Sequence, residues 1–283
     1  MEHIREAVER AKDALPVDKP PPAKAALPER DAPSGDATIH ATDLLNEGTW
    51  LDAARLEDRR IISQEIGDVR AKAIDMLRTQ VLQTMDANSW QVLGVTSPTA
   101  GCGKSVISLN LALSIARQPE RSVLLIDLDI QKPQVADILG LKQKKGILSI
   151  LAGRSKLNEA VTPAQIRSNK MLVLPCESSN INSSELMASR AMYTMLQELK
   201  SQFKSCTVIL DLPPLLPSDD VLSILPSVDC ILFVAAAGKT TVPQIKESNK
   251  YLETVPLVRF VLNKAGDGAA KYYSRYYNSG GSA

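Results

Sequence analysis

The sequence lacks the features that mark secreted, membrane-spanning and nucleic-acid-binding proteins. Its four cysteines are scattered without a CxxC pair, which argues against a disulfide framework and a zinc site. The longest apolar run, Cys230 to Ala237, is far shorter than the roughly 20 residues that a membrane-spanning helix needs. The charged start, MEHIREAVERAKDAL, has no apolar segment like that of a signal peptide. Since 33 basic residues face 32 acidic ones, no overall field attracts nucleic acid, and we expect a cytoplasmic protein.

The composition changes along the 283 residues in a way that predicts one folded domain with two appendages. Near the N-terminus, apolar residues at helical spacing indicate a short amphipathic helix that needs a partner. Such a helix is marginal in water, so disorder is the open alternative. Six prolines between Pro16 and Pro33 are typical of an extended linker. We expect residues 1–60 to be this helix and linker, largely disordered, residues 61–268 to form the folded domain, and residues 269–283 to be a flexible tail.

Short apolar runs alternate with segments of helical length in the predicted domain. An apolar period near 3.6 between Ile61 and Met85 predicts a helix that leads into the core. The predicted strands are Trp90–Thr96, Val123–Asp129, Met171–Pro175, Thr207–Leu212, Cys230–Ala236 and Arg259–Asn263. Further helices are predicted at Val106–Ala116, Leu186–Leu199 and Val242–Leu252. Unbroken apolar strands between helices indicate an α/β fold with a doubly wound, mostly parallel sheet, whose ligands bind outside the carboxyl ends of the strands.

The segment SPTAGCGKS, residues 97–105, follows a predicted strand and opens a predicted helix, the context of a phosphate-binding loop (P-loop). Gly101 and Gly103 allow the backbone amides to surround phosphate oxygens at a helix N-terminus. Lys104 would reach the β- and γ-phosphates of ATP, and the Ser105 hydroxyl would ligate Mg²⁺. Pro98 replaces the usual leading glycine. The predicted nucleotide-binding residues of this segment are Gly101, Cys102, Gly103, Lys104, Ser105 and Val106.

Aspartates close two later predicted strands. VLLIDLDIQKP places Asp127 and Asp129 two residues apart, on one side of an extended chain, where they can hold Mg²⁺ and accept a proton. CTVILDLPP ends its apolar run at Asp211, which has the form of a Walker B carboxylate. For any one of these aspartates alone, a cap of the next turn is the favoured explanation. Together with GxGKS, in this chain order, they favour phosphoryl transfer from Mg-ATP.

The C-terminal segment KYYSRYYNSGGSA contains four of the six tyrosines of the chain. They are Tyr272, Tyr273, Tyr276 and Tyr277. A flexible polar segment cannot bury four aromatic rings, so packing does not explain them. Because the same chain carries a phosphoryl-transfer motif, we predict that these hydroxyls accept phosphate. A partner-binding patch and an accident of composition are the alternatives.

The combination of GxGKS, LLIDLDIQKP, VILDLPP and a terminal tyrosine cluster resembles the bacterial tyrosine kinase family, the P-loop autokinases of capsule and exopolysaccharide synthesis. The resemblance extends from about Ile66 to the C-terminus. The segments NSSEL at 182–186, GKT at 238–240 and VLNK at 261–264 agree with it further. It implies a P-loop fold of the deviant Walker type that partitioning ATPases share.

The resemblance also implies roles for individual residues. Lys104, Ser105 and the backbone of the loop would hold ATP, and Asn263 would contact the adenine. Lys104, Asp127 and Asp129 would be catalytic, with one of the two aspartates deprotonating the incoming tyrosine. The Mg²⁺ ligands would be Ser105, Asp127 and Asp211, with Asp129 helping to organise the metal.

For partners, the resemblance implies a membrane chain-length regulator, or co-polymerase, whose cytoplasmic part activates the kinase. Since the sequence has no membrane-spanning run, we expect this activator to be a separate protein that holds the chain at the inner face of the membrane. A homo-oligomer and a phosphotyrosine phosphatase complete the expected set, in which cycles of phosphorylation drive ring assembly and disassembly during polymer export.

Two segments depart from the family pattern. The family's E-x-x-R-x-x-R ring contact falls on Lys72, Asp75 and Arg78, of which only the last matches. After Asp129, Gln131 stands where the family has a basic residue.

Two other functions remain open. A non-kinase ATPase of the partitioning and cell-division group would act as a nucleotide-dependent dimerisation switch. That group has a second lysine early in its loop, which residues 98–100 lack. The other candidate is a structural adaptor that binds ATP without turnover, for which intact Lys104 and Ser105 would be unnecessary.

Overall fold

The computed structural model describes residues 44–45, 48–62, 71–142, 145–177 and 183–266. The strands are β1 (Thr49–Trp50), β2 (Val92–Thr96), β3 (Ser122–Asp127), β4 (Thr162–Ile166), β5 (Asn169–Leu174), β6 (Cys206–Asp211), β7 (Cys230–Ala236) and β8 (Val258–Asn263). The helices are α1 (Ala53–Asp58), α2 (Lys72–Ala87), α3 (Lys104–Ala116), α4 (Val135–Leu139), α5 (Ile147–Leu151), α6 (Leu157–Ala160), α7 (Ser183–Met187), α8 (Arg190–Gln202), α9 (Asp220–Ile224) and α10 (Val242–Leu252). Across the described ranges, no helix has the length and apolar composition to cross a membrane.

The described strands form one sheet in the order β1-β4-β5-β3-β6-β2-β7-β8. Only β4 and β5 pair antiparallel; every other neighbouring pair in this sheet is parallel. Successive residues of the central strands enter opposite cores: Leu124 packs on the face that α8 covers, and Leu125 packs on the face that α2 and α3 cover. Because both faces are covered, β2, β6 and β7 are buried throughout. The predicted doubly wound, mostly parallel sheet is confirmed.

The register of the parallel strands places the polar residues of the site together. Asp127, at the end of β3, lies beside Asp211, at the end of β6. Asp211 is also the partner of Val95 in β2, one residue before the end of that strand. The loop that follows β2 therefore leaves the sheet at the edge where both aspartates lie.

Several predicted element boundaries were wrong. The predicted helix Leu186–Leu199 is two helices, α7 and α8, because Ser189 caps the second one by accepting a hydrogen bond from the Met192 amide at 3.1 Å. The predicted strand Val123–Asp129 already ends at Asp127. The predicted helix between Ile61 and Met85 corresponds to α2, which begins at Lys72. Residues 63–70 lie outside the described residues.

Residues just before position 61, the predicted start of the folded domain, pack against the sheet and its core. The short strand β1 pairs with β4, and Leu56 of α1 is fully buried in the core. No sequence pattern predicts this packing, since β1 has two residues and α1 has six. Before Gly48, the structure describes residues 44 and 45, so the predicted N-terminal helix and proline-rich linker lie outside the described residues. The predicted tail, residues 269–283, also lies outside them.

Asp75 joins α2 to the C-terminal half of α3. Its Oδ1 atom accepts hydrogen bonds from the Ser114 hydroxyl at 2.6 Å and from Arg117 at 3.0 Å. Arg78 also donates to the Ser114 carbonyl oxygen at 3.0 Å and forms an ion pair with Asp75 at 3.5 Å. Asp75 and Arg78, at positions that the resemblance assigns to a ring contact, are therefore bonded within the chain.

We predict that Asp75→Ala lowers the free energy of unfolding by about 1 to 3 kcal/mol, because two partly buried guanidinium groups lose their shared acceptor. Urea unfolding of the full chain measures this change. The matched control is Asp86→Ala, which breaks the more exposed pair with Arg121 and should cost less than about 1 kcal/mol. Equal losses in the two variants would contradict the structural role assigned to Asp75.

Candidate functional site

The loop between β2 and α3 has, at two positions, a left-handed backbone that strongly favours glycine. Gly101 has φ +75° and Gly103 has φ +90°, both in the left-handed region. A Cβ atom at Gly101 would lie 2.6 Å from the Nζ atom of Lys239, and one at Gly103 would clash with the side-chain amide of Asn263. The loop is therefore fitted closely to the residues around it.

The N-terminus of α3 lies at the end of this loop. Gly103 is the N-cap residue, and no side chain caps the first turn. The amide hydrogens of that turn have no partner within the helix, and they carry the positive end of the helix dipole. Preceded by a glycine-rich loop, this geometry is that of a phosphate-binding site.

Lys104, the first residue of α3, is buried and forms an ion pair with Asp129, with 2.6 Å between its Nζ and Oδ2 atoms. Burial alone would lower the pKa of Lys104. The negative charges of Asp211 and Asp129, with a smaller contribution from Asp127, outweigh it and raise that pKa. Lys104 is therefore a buried cation held by carboxylates.

Asp127 contacts the backbone of the segment that follows β3. Its Oδ2 atom accepts hydrogen bonds from the amides of Gln134 and Val135, at 2.9 and 3.0 Å, and its Oδ1 atom accepts one from the Asp129 amide. Burial and the charge of Asp211 raise the pKa of Asp127 to about 7. The strand ends at Asp127, so the chain is no longer extended at Asp129 and the two side chains do not share one side of a strand as predicted. The side chain of Asp129 accepts a hydrogen bond from Lys104 instead.

Asp211 is fully buried at the end of β6. Its Oδ1 atom accepts a hydrogen bond from Ser108 at 3.1 Å, whereas its Oδ2 atom is buried without a hydrogen bond of normal geometry. Burial raises the pKa of Asp211, although the charge of Lys104 and the nearby Ser105 hydroxyl oppose this rise. A buried carboxylate oxygen without a partner is costly unless a ligand or a metal binds it.

The residues present fit a magnesium ion that is completed by phosphate and water. The described part of the chain contains no group of three or more His, Cys, Asp or Glu side chains arranged as a metal site. Mg²⁺ in phosphoryl-transfer sites needs no such group, because one or two protein ligands suffice beside substrate phosphates. The unpartnered oxygen of Asp211 and the adjacent Ser105 hydroxyl are such a pair.

The other predicted nucleotide-binding residues lie at the same site. Val106 is partly buried against the core, and Asn263 donates a hydrogen bond to the Cys102 carbonyl oxygen at 2.9 Å. Burial raises the pKa of the Cys102 thiol, but hydrogen bonds with Thr240 and Thr99 more than offset this effect and lower it. The structure thus brings together every predicted site residue except the four tail tyrosines, which lie outside the described residues.

Two lysines at the site were missing from the predicted set. Lys239 follows β7 and donates to the Ala100 carbonyl oxygen at 2.6 Å, and Lys264 follows β8 and donates to the Gly101 carbonyl oxygen at 2.8 Å. Their segments, GKT and VLNK, are part of the family resemblance. Neither segment indicates by itself that its lysine contacts the loop.

A model of the ParA family, described as NUBPL iron-transfer P-loop NTPase, matches residues 88–256. The tyrosine-protein kinase YwqD of Bacillus subtilis is 30% identical over 203 residues, which cover 71% of this chain and 83% of that protein. The succinoglycan biosynthesis transport protein ExoP of Rhizobium meliloti is 30% identical over 215 residues, covering 69% of this chain and 26% of ExoP. This chain spans about a third of the length of two further relatives.

Among solved structures, the kinase domain of the Escherichia coli tyrosine kinase ETK superposes with a TM-score of 0.60 at 26% identity, covering 69% of this chain and 77% of that one. The fold, the loop geometry and YwqD therefore agree, and the chain belongs to the bacterial tyrosine kinase family of ParA-type P-loop proteins.

Proposed function

We propose that the chain is an ATP-dependent protein-tyrosine kinase that phosphorylates its own C-terminal tyrosines and regulates the polymerisation and export of an exopolysaccharide or capsule. The observation that carries this proposal is the buried Lys104–Asp129 pair beside the phosphate loop and Asp211. Burying a cation among carboxylates costs desolvation free energy, and such an arrangement is typical of a functional site. Here the cation would bind phosphate oxygens.

ATP would bind with its phosphates against the amides of Gly101 to Ser105. Lys104, the first residue of its helix, would exchange Asp129 for the β- and γ-phosphates of ATP. Ser105 and Asp211 would hold Mg²⁺, with Asp127 supporting them, and the bound ion would neutralise charge on the phosphates.

Asp129 is the better placed of the two candidate bases. Both carboxylate oxygens of Asp127 accept backbone amides, which fixes that side chain in its role at the turn before α4. The Oδ2 atom of Asp129 is bonded to Lys104, a side chain that would move to the phosphates. Asp129 would then accept the tyrosine proton while the phenolate oxygen bonds to the γ-phosphorus and ADP leaves.

The tail would supply the acceptor tyrosines. Asn263, the last residue of β8, contacts the phosphate loop, so the chain leaves the sheet at the site itself. From Lys264 to Tyr272, eight residues can span up to roughly 26 Å when extended. Tyr272, Tyr273, Tyr276 and Tyr277 are therefore within reach of a site, either in the same chain or in a neighbouring one.

The biological setting is proposed from the relatives. ExoP is named for transport in succinoglycan biosynthesis, and YwqD is named a tyrosine-protein kinase. For this chain we propose a membrane chain-length regulator as activator, assembly into a homo-oligomer, and a phosphotyrosine phosphatase that reverses the modification. The activator would hold the kinase at the inner face of the membrane.

The competing function is that of an ATPase whose dimerisation depends on nucleotide, and a match to a P-loop NTPase model is compatible with it. Both functions need ATP and Mg²⁺ at this site. They differ in product, because the ATPase would release phosphate to water and leave the tyrosines unmodified.

We predict that Lys104→Met abolishes tail phosphorylation and weakens ATP binding by about 100-fold or more, because it removes the buried charge that faces the phosphates. Fluorescent ATP titration and phosphotyrosine immunoblotting measure the two effects. Since the single variant leaves Asp129 unpaired, Lys104→Met/Asp129→Asn serves as a second variant without an unpaired charge. Retained phosphorylation in either variant would overturn the assignment of the loop.

Replacement of Asp211 by Asn should separate metal binding from folding. The change removes one negative charge from a buried cluster of three carboxylates, so we expect an unchanged or higher thermal midpoint without nucleotide. We also expect the Mg²⁺ concentration needed for tight ATP binding to rise by about 10-fold or more. Normal Mg²⁺ dependence in a folded Asp211→Asn protein would remove Asp211 from the metal site.

Replacement of the four tail tyrosines by Phe should leave ATP affinity unchanged, because the variant alters no residue of the nucleotide site. Most of the ³²P incorporated from labelled ATP should be lost. If the label persists, the acceptors lie elsewhere, and the candidates are Tyr193 and Tyr251, which are 47% and 40% exposed.

A further inference from the structure

Three side chains from the carboxyl ends of β7 and β8 contact three consecutive carbonyl groups of the phosphate loop. Lys239 donates to Ala100 at 2.6 Å, Lys264 donates to Gly101 at 2.8 Å, and the Asn263 amide donates to Cys102 at 2.9 Å. All three donors come from outside the loop, and each satisfies a different peptide unit.

These contacts determine which way the loop's amides point. In a planar trans peptide, the carbonyl oxygen and the amide hydrogen of the next residue lie on opposite sides. With the carbonyls of Ala100, Gly101 and Cys102 held from outside, the amides of Gly101, Cys102 and Gly103 point the other way. Inward amides are what a phosphate cradle requires.

The donors are themselves held in place. Lys264 has φ +58°, an unfavourable conformation for a residue with a side chain, and its amide donates to the Asn263 Oδ1 atom at 2.8 Å. That bond turns the Asn263 NH₂ group toward Cys102. After β7, the Thr240 hydroxyl accepts the Ala236 amide at 2.9 Å and fixes the turn that carries Lys239.

The loop is shaped to receive these donors. The Nζ atom of Lys239 lies in the space that a Cβ atom at Gly101 would fill, and the Asn263 amide does the same at Gly103. The two glycines therefore provide both the left-handed turns and the room for the donors.

We propose that Lys239 and Lys264 are positioning residues of the nucleotide site, which hold the phosphate loop with its amides inward before the nucleotide arrives. The inference rests on the proposed nucleotide binding and assigns both lysines a role in it. They act through the peptide groups of the loop, so ADP affinity depends on them whether or not tyrosine is the acceptor. Without these lysines, the loop populates other backbone arrangements. The apparent affinity for ADP then falls in proportion to the fraction of molecules whose loop amides point inward.

The test is titration of the full chain with fluorescent ADP and Mg²⁺. Each of Lys239→Met and Lys264→Met should weaken binding by about fivefold, the size of one hydrogen bond of ordinary net strength. The double variant should lose about 20-fold or more, since both side chains hold one loop. Lys239→Arg and Lys264→Arg, which keep a charged donor, should stay within about twofold of the wild type.

The control is Lys246→Met, which removes an exposed lysine from α10 and should leave ADP affinity unchanged. The thermal midpoint without nucleotide should match the wild type in all variants, which excludes general unfolding. At about 0.5 M salt, long-range electrostatic attraction between the lysines and ADP is screened, so a loss of ADP affinity that came only from this attraction would disappear. The loss expected here persists, because it comes from the arrangement of the loop.

Wild-type ADP affinity in the double variant, or a loss that high salt removes, would overturn this inference alone. If the wild-type chain binds no ADP, the proposed nucleotide site fails and the inference fails with it. If the wild type binds ADP without forming phosphotyrosine, and the variants lose affinity as described, the lysines keep their role while the kinase proposal falls.

Discussion

The ion pair between Lys104 and Asp129 is the interaction on which the rest of the site depends. Three buried carboxylates, Asp127, Asp129 and Asp211, lie at one edge of the sheet, and Lys104 is the buried cation that faces them. Charges of one sign that are withdrawn from water repel strongly, so the cluster is stable only because Lys104 and several hydrogen-bond donors offset it. The pKa values of Asp127 and Asp211 are raised by burial and by repulsion from neighbouring carboxylates. The features that make the cluster costly are those that phosphoryl transfer uses.

The parallel sheet places these charges. Because β3 and β6 pair in register, Asp127 and Asp211 lie side by side, and the loop after β2 starts at the same edge. Helix α3 then carries Lys104 and Ser108 into the cluster from its first two turns. Its burial is nearly complete, so the helix cannot shift without disturbing the core.

Local motifs predicted much of this arrangement, and long-range contacts explain what they missed. A glycine-rich loop between a strand and a helix, and aspartates at strand ends, can be identified from short segments, so the loop and the acidic residues were predicted. Lys239 and Ala100 are 139 residues apart in the chain, and Lys264 and Gly101 are 163 apart, so no local pattern links them. The antiparallel β4 was missed because its segment, TPAQI, has a proline and a glutamine where an apolar run was sought. Asp75 could not be assigned to an internal network because Ser114 and Arg117 belong to another helix.

The chain belongs to the bacterial tyrosine kinase family, and we propose that it transfers phosphate from ATP to tyrosine. Peptide mass spectrometry of the purified full chain after incubation with Mg-ATP tests it most directly. We expect added phosphate on the peptide that contains Tyr272 to Tyr277. Hydrolysis of ATP without any phosphotyrosine, even with the cytoplasmic part of an activator present, would contradict it and favour an ATPase of the partitioning type.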